Sequence, residues 1–143
     1  IRTSLTDDFF SNYYLSNETL FKIQSDVMRR LAEEGSSIFV GRCADYVMKE
    51  HRDCLNLFIS ANTDDRIRRI AGSHKITEEK AREIIEKTDK GRSAYYNYFS
   101  AKTWGAAESY HLCINSSLLG IDPTVDLICR VTEERFGISA RRK

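Results

Sequence analysis

Three small groups of residues in this chain could do chemistry, two of them suited to anions and one to a polar ligand. The first is Gly41-Arg42, which closes the apolar run Ile38-Phe39-Val40. A glycine leaves room beside the backbone, and a guanidinium offers five donors in a fixed fork that matches phosphate oxygens. The second is Arg66 with Arg69, three apart and directly after the apolar run Leu55–Ala61. Arginines so spaced share one helix face; they form either a solvated surface or, at the carboxyl end of a strand, an anion clamp. The third is Asp89 with Arg92, again three apart, along the inward stripe of a long helix. Charge on an inward face is costly unless paired or matched to a ligand. The pair either closes the helix onto the core or presents a carboxylate and a guanidinium to a polar ligand.

Such groups need elements to hold them. Leu20, Ile23, Gln24, Val27, Met28 and Leu31 recur at helical spacing over 17–34, with Ser16 or Asn17 as cap and Gly35 as stop. The run 37–41 reads as a buried strand and 44–50 as a short helix. Residues 55–61 read as a second strand, followed by a helix over 64–71 that Gly72-Ser73-His74 breaks. Thr77 opens a long helix with the inward stripe Ala81, Ile84, Ile85, Thr88, Arg92, Tyr95, Tyr96 and Phe99, while Lys80, Glu83, Glu86, Lys87 and Lys90 face away. Trp104-Gly105 is a packing anchor at a turn. Residues 109–115 make a third strand holding His111 as a satisfied sheet residue. Asp122-Pro123 is an N-cap with proline at the first position of a last helix, striped by Val125, Ile128, Cys129, Thr132 and Phe136. Strands joined through helices must be parallel, so the fold class is α/β. Residues 1–16 show no period and are expected to be loop.

Composition narrows the function. The chain has 143 residues, enough for one domain over 1–143, and a net charge of +1, which excludes a basic field for nucleic acid. Only Arg141-Arg142-Lys143 form a basic cluster, which reads as a solvated tail. Four cysteines lack paired spacing, so no zinc site is expected, nor any other protein-bound metal. Cys54, Cys113 and Cys129 lie in or beside apolar runs and are expected to be buried reduced thiols of a cytoplasmic protein. No apolar stretch is long enough for a membrane span, and no G-x-S-x-G nucleophile turn is present. Tyr13 and Tyr14 leave both a monomer and a homodimer open.

Taken in order, I-F-V-G-R-C-A-D-Y, L-N-L-F-I-S-A-x3-D-R-I-R-R-I, D-K-G-R-S-A-Y-Y-x-Y-F, W-G and Y-x-L-C-I-N-S-S resemble the cytidylate kinase-like family of P-loop nucleoside monophosphate kinases. The resemblance runs from about Leu20 to Gly137. It implies a three-layer P-loop NTPase-type fold, a parallel sheet flanked by helices, with a helical lid segment over about 66–92. It also implies transfer of the γ-phosphoryl of ATP, with Mg²⁺, to CMP, dCMP or a related nucleotide. Gly41, Arg42 and Asp45 then fall at the acceptor nucleotide, Arg66, Arg69 and Asn115 at ATP, and Asp89 and Arg92 at the catalytic centre.

Three departures accompany it. Cys43 stands where the family usually carries Asp after Gly-Arg, and Ile85 where it carries an arginine one turn before the D-x-x-R aspartate. No G-x-x-x-x-G-K-[ST] occurs in the 143 residues. The resemblance places such a loop on a strand before Ile1, so an N-terminally incomplete kinase domain is expected. The competing expectations are a non-catalytic nucleotide-binding or regulatory module on the same fold, and a purely structural interaction domain.

Overall fold

The computed structural model describes residues 16–138. The loop expected over 1–16 falls almost wholly, and Tyr13, Tyr14 and the basic tail wholly, outside the described residues. The described residues fall into two compact units, one ending at Glu50 and one beginning at His51.

In the first unit, α1 spans Asn17–Glu34 and α2 spans Ala44–Val47. Ser16 caps α1, its Oγ accepting from the Thr19 N–H at 3.1 Å, and Gly35 closes it by donating its N–H to the Leu31 carbonyl. Met28 and Ser25 are buried, but Leu20, Ile23, Val27 and Leu31 are exposed. The expected inward stripe is thus realised at one position, because the only other helix described in this unit has four residues. The strand expected over 37–41 is not formed. Ile38 is 94% and Val40 89% exposed, and no ladder pairs residues 36–40. A strand exists only where a neighbour takes its backbone groups, and no described residue does so here.

The second unit runs β1 (Leu57–Ser60), α3 (Thr63–His74), α4 (Glu78–Ser100), a 3₁₀ turn (Ala107–Ser109), β2 (Leu112–Asn115) and α5 (Ile121–Phe136). β1 and β2 pair in parallel, Leu57 opposite Leu112 and Ser60 opposite Asn115. The α/β class and the parallel sense are as expected, although the described sheet has two strands, not three. His111 sits one residue before β2 instead of within it. Its Nδ1 accepts from the Asn56 N–H at 2.9 Å while its own N–H donates to the Asn56 carbonyl at 2.8 Å.

α3 and α4 form an antiparallel hairpin whose core is Ile67, Ala81 and Ile85, with Ile70, Ala71 and Ile76 against it. α3 does not break at Gly72. It runs to His74 and stops at Lys75, which takes the left-handed conformation (φ 54°). An exposed mid-helix glycine costs only about 1 kcal/mol, less than the packing of Ile70 and Ala71 recovers. Thr77 caps α4, accepting from the Lys80 N–H at 3.2 Å. The buried face of α4 is narrower than expected: Ala81, Ile85, Tyr96 and Ser100 are buried, whereas Ile84, Thr88 and Arg92 are exposed.

Trp104-Gly105 is the anchor it was expected to be. The Trp104 ring meets Phe58 edge-on at 5.5 Å, and a Cβ on Gly105 (φ 78°) would lie 3.1 Å from the Phe58 ring. α5 starts earlier than Asp122: Gly120 (φ 85°) is its N-cap and Pro123 its third residue, still within the turn whose N–H groups lack helical partners. Along α5 Val125 is exposed and Ile128, Cys129, Thr132 and Phe136 are half-buried. Among the cysteines only Cys43 is buried; Cys54 and Cys129 are half-buried and Cys113 is exposed. Cys113 alternates with Leu112 and Ile114 along β2 and so faces the opposite side of the sheet.

Candidate functional site

Four of the eight residues singled out by type and spacing converge. Arg66 and Arg69 on α3 and Asp89 and Arg92 on α4 line one cavity of about 200 Å³, floored by Ile70 and Ile85. Ile67 and Ile85 are locked in the hairpin core, which sets the rotation of both helices and turns the polar residues one turn away toward the cleft. Arg66 Nη2 lies 2.7 Å from Asp89 Oδ2, a bridge between the two helices with both side chains about three-quarters buried. Arg92 Nη1 is 3.7 Å from Asp89 Oδ1 and is itself well exposed. Asp89 Oδ1 is buried without a hydrogen bond. Asp89 therefore ties the hairpin together through Arg66, a partner that its spacing from Arg92 did not indicate, and its Oδ1 is left without a hydrogen bond.

Three guanidinium groups against one carboxylate leave the cavity strongly positive. Its volume falls below the roughly 300–1,000 Å³ of a site that encloses a whole small molecule. The space and charge suit one or two phosphoryl groups, held by arginine forks.

Gly41, Arg42 and Asp45 belong to the first unit. Gly41, Arg42 and Cys43 all have positive φ (73°, 55° and 55°), three left-handed residues in succession. The turn closes with the Ala44 N–H donating to the Gly41 carbonyl at 3.1 Å. Glycine at 41 is thus required by the backbone, while Arg42 and Cys43 hold a conformation that costs an L-residue about 1 kcal/mol or more each. Cys43 fills the position expected to hold Asp, and it is buried. Burial, with a smaller contribution from the Asp45 carboxylate, pushes its thiol up to about 11. It is an anchor of the turn, not a charge.

Asn115 lies at the carboxyl end of β2, where its amide is used at both ends. Nδ2 donates to Asn62 Oδ1 at 2.9 Å, and Oδ1 accepts from the Ser117 N–H at 3.0 Å. Ser117 Oγ accepts from the Asn62 N–H at 2.9 Å, and hydrogen bonds from Ser117 and Arg68 hold the Asp65 carboxyl below its ordinary value. Asn62, Asp65 and Ser117 were not legible as partners from the sequence. The signal was there in the clusters Asn62-Thr63-Asp64-Asp65 and Asn115-Ser116-Ser117, each ending an apolar run, which parallel pairing brings side by side.

Among the described residues no three His, Cys, Asp or Glu side chains converge on a metal position, and no helix is long and apolar enough to cross a membrane.

A model of the cytidylate kinase-like family matches residues 1–118, and the chain belongs to that family. A crystal structure of an uncharacterized protein from Eubacterium ventriosum superposes with a TM-score of 0.79, over 85% of this chain and 69% of its own, at 24% identity. That likeness speaks to the fold alone. No curated protein matches the sequence.

Proposed function

We propose that the protein is a nucleoside monophosphate kinase that transfers the γ-phosphoryl of ATP to CMP or dCMP, on a three-layer P-loop NTPase-type fold. The observation that carries this reading is the cleft between α3 and α4, with Arg66, Arg69 and Arg92 around the single carboxylate Asp89. Phosphoryl transfer asks a protein for positioning and for cations around a charge-rich transition state, and little else. In this reading Arg66 and Arg69 hold the phosphates of ATP, and Arg92 meets the transferred group. Asp89 fixes Arg66 and sets the separation of the two lid helices. Asn115 stands at the donor side, and Gly41, Arg42 and Asp45 hold the acceptor nucleotide. The described residues make no cage for Mg²⁺, and Asp89 is committed to Arg66. Mg²⁺ accordingly enters the proposal only as the companion of ATP, with no step assigned to it.

One observation favours a second reading, a nucleotide-binding module without turnover. Ile85, at the position where the family's arginine is expected, is 8% exposed within the apolar core of the hairpin. That core would not accept a guanidinium, so the cleft has one cation fewer than the resemblance implies.

The test is a coupled assay of ADP release by the full-length protein with ATP, Mg²⁺ and each of CMP, dCMP, UMP and AMP, run beside calorimetry. Turnover with CMP or dCMP supports the kinase. Affinity for ATP or CMP with no ADP released supports the module, and no affinity for either refutes both.

A further inference from the structure

We infer that Asn115 is a positioning residue: it acts on the donor phosphates through Asn62 and α3, and does not read the nucleotide base. The inference rests on the kinase reading above, since it names what one residue of that site does. Three observations carry it. Each end of the Asn115 amide is already engaged, Nδ2 with Asn62 Oδ1 and Oδ1 with the Ser117 N–H, and these two bonds turn the group toward the start of α3.

Asn62 is the N-cap residue of α3, yet its side chain makes no capping bond to the helix. It is drawn instead to Asn115, across 53 residues of sequence. The Asn62 N–H donates to Ser117 Oγ and its carbonyl accepts from the Arg66 N–H at 3.0 Å. The carbonyl bond belongs to α3 itself, while the side chain and the N–H of Asn62 tie the start of that helix to Asn115 and Ser117 at the end of β2.

α3 carries Arg66 and Arg69 into the cleft, with Arg66 at the fourth residue. Ser117 extends the same connection to Asp65, which in turn holds Arg68. The end of β2 therefore sets the axial position of the helix that presents the phosphate-binding arginines. The arrangement also has a built-in alternative. Without Asn115, the Asn62 carboxamide is free to cap α3 in the ordinary way, accepting from the N–H of the second or third helical residue. The helix then keeps its stability and loses the side-chain tether, leaving only the bonds to Ser117.

The experiment is calorimetry of the full-length protein with ATP–Mg²⁺, GTP–Mg²⁺ and inorganic tripolyphosphate–Mg²⁺. It compares the wild type with Asn115→Ala, Asn62→Ala and the double variant. A positioning residue weakens all three ligands by the same factor, about fivefold for the loss of one hydrogen-bonded tether. The double variant is then no worse than either single one, because both act through the same bond. Asn115→Ala keeps a melting temperature within about 2 °C of wild type, since the freed cap replaces the lost bond. Loss of ATP affinity with GTP and tripolyphosphate unchanged would show a base contact and overturn the inference while leaving the kinase reading standing. Additive effects of the two substitutions would overturn it equally. A wild type that binds none of the three ligands removes the kinase reading, and the inference with it.

Discussion

Replacing Asp89 by Asn tests the organisation of the cleft most directly. The Arg66–Asp89 bridge at 2.7 Å joins two helices, with the side chains 29% and 24% exposed. Two unit charges with centres about 4 Å apart attract by about 4 kcal/mol at an effective dielectric constant near 20. Desolvation of both groups offsets much of this, and one quarter of each remains in contact with water. The net coupling is therefore about 1–2 kcal/mol, between an exposed pair and a fully buried one. Asn preserves the shape but withdraws the charge that faces Arg66 and, more distantly, Arg92. The loss in Asp89→Asn then exceeds the coupling and reaches about 2 kcal/mol, or about 6 °C in melting temperature for a chain of this size. Thermal melts of wild type, Asp89→Asn, Arg66→Met and the double variant make a complete cycle. The coupling is expected to be about 1–2 kcal/mol, with the double variant less unstable than the sum of the singles. Additivity within about 0.3 kcal/mol would refute the bridge as the latch of the hairpin. The same substitution removes a competitor for Arg66, so tripolyphosphate should raise the melting temperature of Asp89→Asn more than that of wild type.

Three other outcomes are expected. Arg42→Ala or Arg92→Ala in the full-length protein should lower turnover by about 100-fold or more, a transition-state loss of about 3 kcal/mol; steady-state rates within a factor of three of wild type would remove these residues from the chemistry. Lys75→Gly and Ala101→Gly, both at left-handed helix ends (φ 54° and 55°), should each stabilise by about 1 kcal/mol in thermal melts, and a fall in either would contradict the backbone assignment. Cys43 has a thiol raised from 9.0 to about 11 by burial, so its contribution to stability is complete below pH 9 and is lost as pH climbs from 9 to 11. Melting temperatures across that interval should fall in wild type and fall less steeply in Cys43→Ala, where the raised Cys54 thiol still titrates, and thiol reagents should label exposed Cys113 first and Cys43 last.

Local chemistry was readable in the sequence, and long-range chemistry was not. Ser16 and Gly35 bracket α1, and Thr77 opens α4, because caps depend on residues three or four apart. Helical spacing marked Arg66 with Arg69 and Asp89 with Arg92 as two separate pairs; that the hairpin joins them at one cavity through the Arg66–Asp89 bridge was not readable from spacing. The bond between Asn62 and Asn115 could not be read, since it arises only when two strand ends 53 residues apart meet in parallel register. Ile38-Phe39-Val40 shows the opposite failure. Its composition is that of a buried strand, but burial comes from neighbours, and composition carries no record of them. Pro123 marked the right helix and the wrong starting point, because Gly120 supplies the positive φ that begins the turn earlier.

The hairpin of α3 and α4 also bears on the order in which the chain folds. Its connection is Lys75–Thr77, so its contacts are local and cheap in chain entropy. The pairing of Leu57 with Leu112 is the reverse: it must close a loop of more than fifty residues before its first ladder bond forms. Helices collapse onto each other in microseconds, whereas non-local parallel pairing is the slow step of such topologies. A preformed hairpin shortens the free chain that the strands must search. The cleft between α3 and α4 is thus expected to take shape before the sheet that supports it, with the Asn62–Asn115 bond forming only once the strands have paired.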